Sequence, residues 1–179
     1  MKKLILLLFI PLISFGQNEN AEKDLKEEIS SVYHVDVLGN QKYRSGDFYG
    51  AIADYTKAID IYANSDAAYA NRGLAKFSLK DFSGAIADYN KAIEINLSNV
   101  SYYRWRANAK IEIEDNYGVI ADLTMVIELE TETVQRAEAY FYRGVTKGKL
   151  GNIEEACKDI KVAESLGYDI SEIAAACYP

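Results

Sequence analysis

The sequence predicts an all-α solenoid of about four helix-turn-helix repeats, and three observations predict it. The string GAIADYTKAIDI at 50–61 returns as GAIADYNKAIEI at 84–95 with ten of twelve residues unchanged, and a worn copy, GVIADLTMVIEL, stands at 118–129. Each copy starts 34 residues after the last, a fixed period that means one structural unit repeated. Inside each copy the apolar residues fall on one helical stripe: Ala51, Ile52, Tyr55, Ala58, Ile59 and Tyr62 in the first, with Ala85, Ile86, Tyr89, Ala92 and Ile93 in the second. The two prolines, Pro11 and Pro179, lie at the chain ends, so nothing between them breaks a helix.

The first element is not part of the repeats. Residues 1–16 hold Lys2 and Lys3, an apolar run from Leu4 to Ile13, and small residues Ser14 and Gly16 before Gln17. That is the pattern of a signal peptide. The run is shorter than the roughly 20 residues a membrane span needs. The expectation is export to the periplasm or the extracellular space, with no membrane insertion once the leader is removed. Residues 17–31, QNENAEKDLKEEISS, are polar and charged, and read as a solvated lead-in.

Each unit then holds two helices. Upstream of the stripes stand AAYANRGLAKFSL at 67–79 and SYYRWRANAKIEI at 101–113. Asp47, Asp81, Asp115 and Asn152 precede the second helix of their units as N-caps. Ser65 and Asn99 stand where a first helix begins. The frames are 32–65, 66–99, 100–133 and 137–170, with Val134–Arg136 as an extra stretch. The eighth place is small throughout (Gly39, Gly73, Ala107, Gly144), as are the twentieth (Ala51, Ala85, Val119, Ala156) and the twenty-seventh (Ala58, Ala92, Val126, Ala163). Tyr55, Tyr89, Leu123 and Ile160 at the twenty-fourth place fill the space these leave. The end of the chain, 169–179, is expected to form a capping helix over the last repeat, since an open solenoid end needs a cover.

This period and these small and large places resemble the tetratricopeptide repeat. The resemblance covers 32–170 and is weakest in 100–133; the proline usual near the repeat end is replaced by Ala63, Leu97, Thr131 and Tyr168. It implies a right-handed α-solenoid whose first helices line a groove that binds protein segments.

Composition narrows the chemistry. The 179 residues are 49% hydrophobic, enough for a core, and carry a net charge of -7. That charge argues against a nucleic-acid partner, despite the RWR run at 104–106. One histidine, His34, and two cysteines leave little material for catalysis or metal binding, and no phosphate loop or nucleophile elbow is present. The expectation is a non-enzyme with no cofactor. Asp54, Asp88, Asp122 and Asp159 recur at one place in each unit and read as a solvated or hydrogen-bonded face rather than a metal ladder. Cys157 and Cys177 suggest a disulfide in an exported chain, with two separate buried thiols as the alternative.

The resemblance also implies groove positions. Carried onto this chain they include Asp36, Asn40 and Tyr43 in the first unit, Asn71, Leu74 and Phe77 in the second, Arg104, Asn108 and Ile111 in the third, and Phe141 and Val145 in the fourth. Some members hold the terminal carboxylate of a chaperone with a Lys and two Asn, then further bases. Asn40 and Asn71 fit, but Asp36 stands where the Lys belongs, and Ser101 and Trp105 replace the later bases. An acid there repels a carboxylate, so that clamp is rejected. The groove reads as largely apolar, with Arg104, Asn40 and Asn108 as polar fixers. The expected function is a non-catalytic scaffold for another protein or peptide, with one acid of the partner facing Arg104. The alternative is a glycan- or peptidoglycan-binding module that uses groove aromatics. Leu74, Phe77 and Val145 serving only the core is the other open reading.

Overall fold

The computed structural model describes residues 35–171 and Cys177. The expected leader at 1–16, the expected lead-in at 17–31 and His34 lie outside them. The described residues hold eight α-helices and no strand: α1 (35–44), α2 (Phe48–Ile61), α3 (Asp66–Ser78), α4 (Phe82–Ile95), α5 (Val100–Glu112), α6 (Asn116–Leu129), α7 (Thr133–Lys149) and α8 (Ile153–Ser165). From α2 onward each helix packs on the next, and α3 also touches α5. No helix pair buries its own stripe, so the core is shared along the stack.

The opening of the repeated string has a local cause. Asp47, Asp81 and Asp115 each accept a hydrogen bond from the backbone N–H three residues on, at Gly50, Gly84 and Gly118, all at 2.9 Å. A Cβ at any of those glycines would collide with the capping carboxylate. The cap and the glycine therefore come as a pair. In the last unit Glu155 stands at the glycine's place, and Asn152 makes no side-chain cap bond. The turn before each cap needs a left-handed residue. Gly46 (φ 85°) and Gly151 (φ 81°) supply it easily, while Lys80 (φ 63°) and Glu114 (φ 59°) adopt it under strain.

Close approach explains the eighth place. A Cβ on Gly73 would stand 2.7 Å from Tyr89 Cε1, and one on Gly39 would stand 2.7 Å from Tyr55 Cε1. In the third unit Ala107 is tolerated because its partner, Leu123, has no ring. Tyr55 donates its hydroxyl to Asn40 Oδ1 at 2.8 Å. Tyr89, its counterpart, is fully buried and its hydroxyl has no partner, because Leu74 stands where Asn40 does one unit earlier.

The recurrent aspartates are buried, not solvated. Asp88, Asp122 and Asp159 are 3%, 1% and 5% exposed. Each is clasped by the arginine sixteen residues earlier: Arg72, Arg106 and Arg143. A lysine one turn on adds a second cation: Lys76 to Asp88 at 2.8 Å, Lys110 to Asp122 at 2.9 Å, and Lys147 to Asp159 at 2.8 Å. Each arginine also lies over a tyrosine ring, of Tyr69, Tyr103 or Tyr140. Its remaining nitrogen reaches the preceding unit, at Thr56 Oγ1 (3.1 Å), Asn90 Oδ1 (2.6 Å) or Thr124 Oγ1 (3.0 Å). The guanidinium fork thus rivets each unit to the one before it. The first unit has Leu38 in the arginine's place, and Asp54 is held by Lys42 and Lys57 instead.

Two expectations change. The extra stretch Val134–Arg136 does not stand apart from the fourth unit but forms the first turn of α7, which is 17 residues long. Glu130 orders the connection before that turn by accepting the N–H groups of Thr131 and Glu132, while α7 itself has no side-chain cap bond. The closing helix does not begin at 169. Gly167 turns left-handed after α8, residues 168–170 are not helical, and the Asp169 carboxylate accepts the Ser171 N–H at 2.9 Å. Apart from Cys177, the expected helix beyond Ser171 lies outside the described residues. Cys157 and Cys177 are joined in a disulfide, with Cα atoms 5.2 Å apart. Tyr168 stacks on Phe141 at 4.6 Å, and Ile170 packs with Ile160 and Cys177, covering the end of the stack.

Candidate functional site

The odd-numbered helices carry every residue expected to line the groove. Asp36, Asn40 and Tyr43 lie on α1; Asn71, Leu74 and Phe77 on α3; Arg104, Asn108 and Ile111 on α5; Phe141 and Val145 on α7. Their surroundings differ. Leu74 and Phe77 are partly buried against Tyr89, Ala85 and Trp105. Phe141 and Val145 pack against the returning C-terminal segment. Tyr43 is partly buried, with its hydroxyl 3.3 Å from Ser78 Oγ on α3.

Between α5 and α7 the face opens into a cleft of about 280 Å³. Its floor is Ala107, Leu123, Val126 and Ala139, and its rim is Arg104, Asn108, Ile111, Gln135, Glu138 and Tyr142. It runs on past Ile111 and Tyr142 into a second hollow of about 400 Å³, bounded by Val145, Thr146, Glu114, Asn116 and Lys149. Ile111 and Tyr142 are 42% and 43% exposed, so two large apolar side chains face the opening without cover. Asn108 is exposed beside them, with both amide functions available.

Arg104 is not a bare charge. Its Nη2 donates to Glu130 Oε2 at 2.9 Å and to Gln135 Oε1 at 3.3 Å. Glu130 lies in the connection before α7, and Gln135 belongs to the extra turn, so the three-residue insertion builds this corner of the rim. The residues that sequence reasoning missed are Gln135, Glu138 and Tyr142. The signal for them was the insertion itself, which carries α7's first turn up to α5.

The aromatic runs are mostly internal. Tyr102 and Tyr103 are buried, donating to Asp66 Oδ2 and the Leu97 carbonyl, both at 3.0 Å. Trp105 lies between Tyr89 and Tyr102, with ring centroids at 6.2 and 5.8 Å. It plugs the space between α3 and α5 that stays open between α5 and α7. Tyr142 alone of these aromatics lines the cleft. Among the described residues no group of three His, Cys, Asp or Glu side chains could hold a metal ion, and no helix is long and apolar enough to cross a membrane.

Residues 67–99 match the tetratricopeptide repeat family. No curated protein matches the chain. Among solved structures it is similar to YrrB, described as a TPR protein with an unusual peptide-binding site, at 19% identity and a TM-score of 0.70, covering 87% of this chain and 77% of that one. It is similar to the MamA protein at 23% identity and a TM-score of 0.69, covering 76% and 73%. It is also similar to the first TPR of Spaghetti (RPAP3) bound to the HSP90 peptide SRMEEVD, at 26% identity and a TM-score of 0.63, covering 68% and 94%. With its 34-residue units, paired helices and shared core, the chain has the fold of tetratricopeptide-repeat proteins and carries a repeat of that family at 67–99.

Proposed function

We propose that the protein is a non-catalytic scaffold, exported from the cytoplasm, that holds a segment of another protein on the face formed by its odd-numbered helices. The observation that carries this is the cleft between α5 and α7, where Ile111 and Tyr142 stand exposed over an apolar floor. Uncovered apolar side chains rimmed by a few directional polar groups are the make-up of a recognition surface. Relatives of the fold support it: the Spaghetti domain was solved with a peptide bound. That peptide ends in Glu-Val-Asp, which Asp36 would repel, so the ligand here differs in charge. Export is supported by the leader pattern in 1–16 and fits the Cys157–Cys177 bond. The glycan alternative finds less support, because Trp105 and Phe141 are spent on internal packing.

Selection of displayed random peptides of about twelve residues on the mature protein tests the binding. At an extended rise of about 3.3 Å per residue, that length spans the face. Ile111→Glu should weaken the selected peptides at least tenfold, about 1.4 kcal/mol, by placing a charge in the apolar cleft. Ala87→Glu, on the exposed side of α4, should leave them unchanged. Peptides indifferent to Ile111→Glu would remove the cleft from the function. Location is tested separately by N-terminal sequencing of the native protein, which should begin at Gln17.

A further inference from the structure

Five acids inside this array are matched to bases, and partly buried Asp66 is held by Asn96 and Tyr102. Asp54, Asp88, Asp122 and Asp159 each have two cations within ion-pair distance, and Glu130, largely buried, has Arg104. Asp36 breaks the rule. Its Oδ1 is shielded from solvent and has no hydrogen-bond partner, and among the described residues no cation is paired with it. Native proteins rarely leave a buried carboxylate oxygen empty, and each case calls for a specific reason.

The surroundings of Asp36 indicate the reason. Asp36 and Asn40 are one helical turn apart on the same face of α1. Tyr55 reaches that face from α2 and donates its hydroxyl to Asn40 Oδ1 at 2.8 Å. The Tyr55 hydroxyl is pushed up to about 12, first by burial and next by the nearby Asp36 carboxylate. The corner therefore offers oxygens: the carboxylate, the tied amide carbonyl and the phenol oxygen. The Tyr55 hydroxyl and the Asn40 amide also carry donors, but none bonds the shielded Asp36 oxygen, whose charge suits an ammonium or guanidinium bringing three to five N–H groups and a positive charge. In the other units the same place holds Ala70, Arg104 and Phe141, so the acid belongs to the first unit only.

We propose that Asp36 receives the cationic side chain of a Lys or Arg carried by the partner segment that lies on the odd-helix face. This rests on the scaffold reading and adds a charge and a direction to it. Helices pack about 8–10 Å apart, so α1 lies roughly 25 Å from the α5–α7 cleft. An extended chain rises about 3.3 Å per residue, so the base stands about seven or eight residues from the apolar group in the cleft. The partner's polarity is thereby fixed. Its basic end meets the first unit, and its apolar end meets the third and fourth.

Burial also raises the Asp36 carboxyl above its ordinary value. A folded value above the unfolded one means that ionised Asp36 opposes folding at neutral pH. Asp36→Asn should therefore raise the thermal midpoint, while a purely structural aspartate would lower it.

The same peptide selection provides the test, with Asp36→Asn and Asp36→Lys beside the wild type. Wild-type binders should share a Lys or Arg at a fixed distance from an apolar residue. Replacing that base by norleucine should cost tenfold or more on the wild type and almost nothing on Asp36→Asn. Asp36→Lys should enrich acidic peptides instead. Binders that lose affinity with Ile111→Glu but ignore Asp36→Asn would overturn the Asp36 assignment and leave the scaffold standing. Binders that ignore both, or no binders at all, would overturn both. A lower midpoint for Asp36→Asn would also count against the proposal.

Discussion

Replacing Arg106 with Met removes the fork that clasps Asp122 and takes away the 2.6 Å bond to Asn90 of the preceding unit. Asp122 is 1% exposed, so water cannot replace the guanidinium. Stripping one partner from a buried pair costs about 3–5 kcal/mol. Lys110 stays 2.9 Å from the carboxylate and covers part of the charge, which places the cost at the lower end, about 3 kcal/mol. For a chain of this size that is a fall of about 6–12 °C in the thermal midpoint. The triple variant Arg106→Met, Lys110→Met, Asp122→Leu should lose less, about 1 kcal/mol, because no desolvated charge is left behind. Thermal and urea unfolding followed by far-ultraviolet circular dichroism gives both values. A triple variant as unstable as Arg106→Met, or less stable, would show that the triad's attraction exceeds its desolvation cost, and the reasoning would fail.

Three further outcomes follow from the same structure. Tyr55→Phe should cost about 1 kcal/mol, since it deletes a hydrogen bond, whereas Tyr89→Phe should be neutral or stabilising because the Tyr89 hydroxyl has no partner; paired urea melts decide this. Reducing Cys157–Cys177 should speed amide exchange first in α7 and α8, because coupling in a repeat array passes only between neighbours; uniform loosening from α1 to α8 would contradict it. Acid should act through the rungs. Burial pushes the Asp159 carboxyl up, but bonds from Arg143 and Lys147 outweigh burial and hold it below the ordinary aspartate value of 3.8. Its contribution is therefore present above 3.8 and lost as pH falls through the lower folded value, so Arg143→Met should move acid unfolding, read by circular dichroism, to higher pH.

What could be read from the residues was what repeats locally. The period, the capping aspartates, the small eighth place and the bulky twenty-fourth all answer to one turn or one helix pair, and they stand in the sequence at fixed offsets. The ion-pair ladder was only half visible. Its aspartates recur, and so do Arg72, Arg106 and Arg143, but joining the two sets requires knowing which helix faces meet. Lys80 and Glu114 hid the left-handed turns that Gly46 and Gly151 announce. At the groove, the positions carried over from the family named the helices, not the surroundings. That Arg104 is already met by Glu130 depends on a linker residue, and that Phe141 is covered depends on the chain folding back through Tyr168. Tyr142 holds the same place in its unit as Asn71 and Trp105 in theirs, and nothing in the sequence tells that Trp105 is packed inside while Tyr142 faces the cleft.

The unequal rungs also decide how such a gene can grow. A duplicated unit must accept a guanidinium from its successor and offer one to its predecessor. The unit at 66–99 does both, through Asn90 and Arg72, and so does the unit at 100–133, through Thr124 and Arg106. Either can be copied in place and the array closes over the insert. The first unit has Leu38 where it should offer an arginine, and the last has Lys161 where Thr56, Asn90 and Thr124 accept one. An ammonium facing an incoming guanidinium repels it, so a copy of the last unit set in the middle would part the stack at that joint. By this matching of donors and acceptors, a copy of an interior unit closes with its neighbours on both sides, while a copy of the first unit brings no guanidinium to its predecessor.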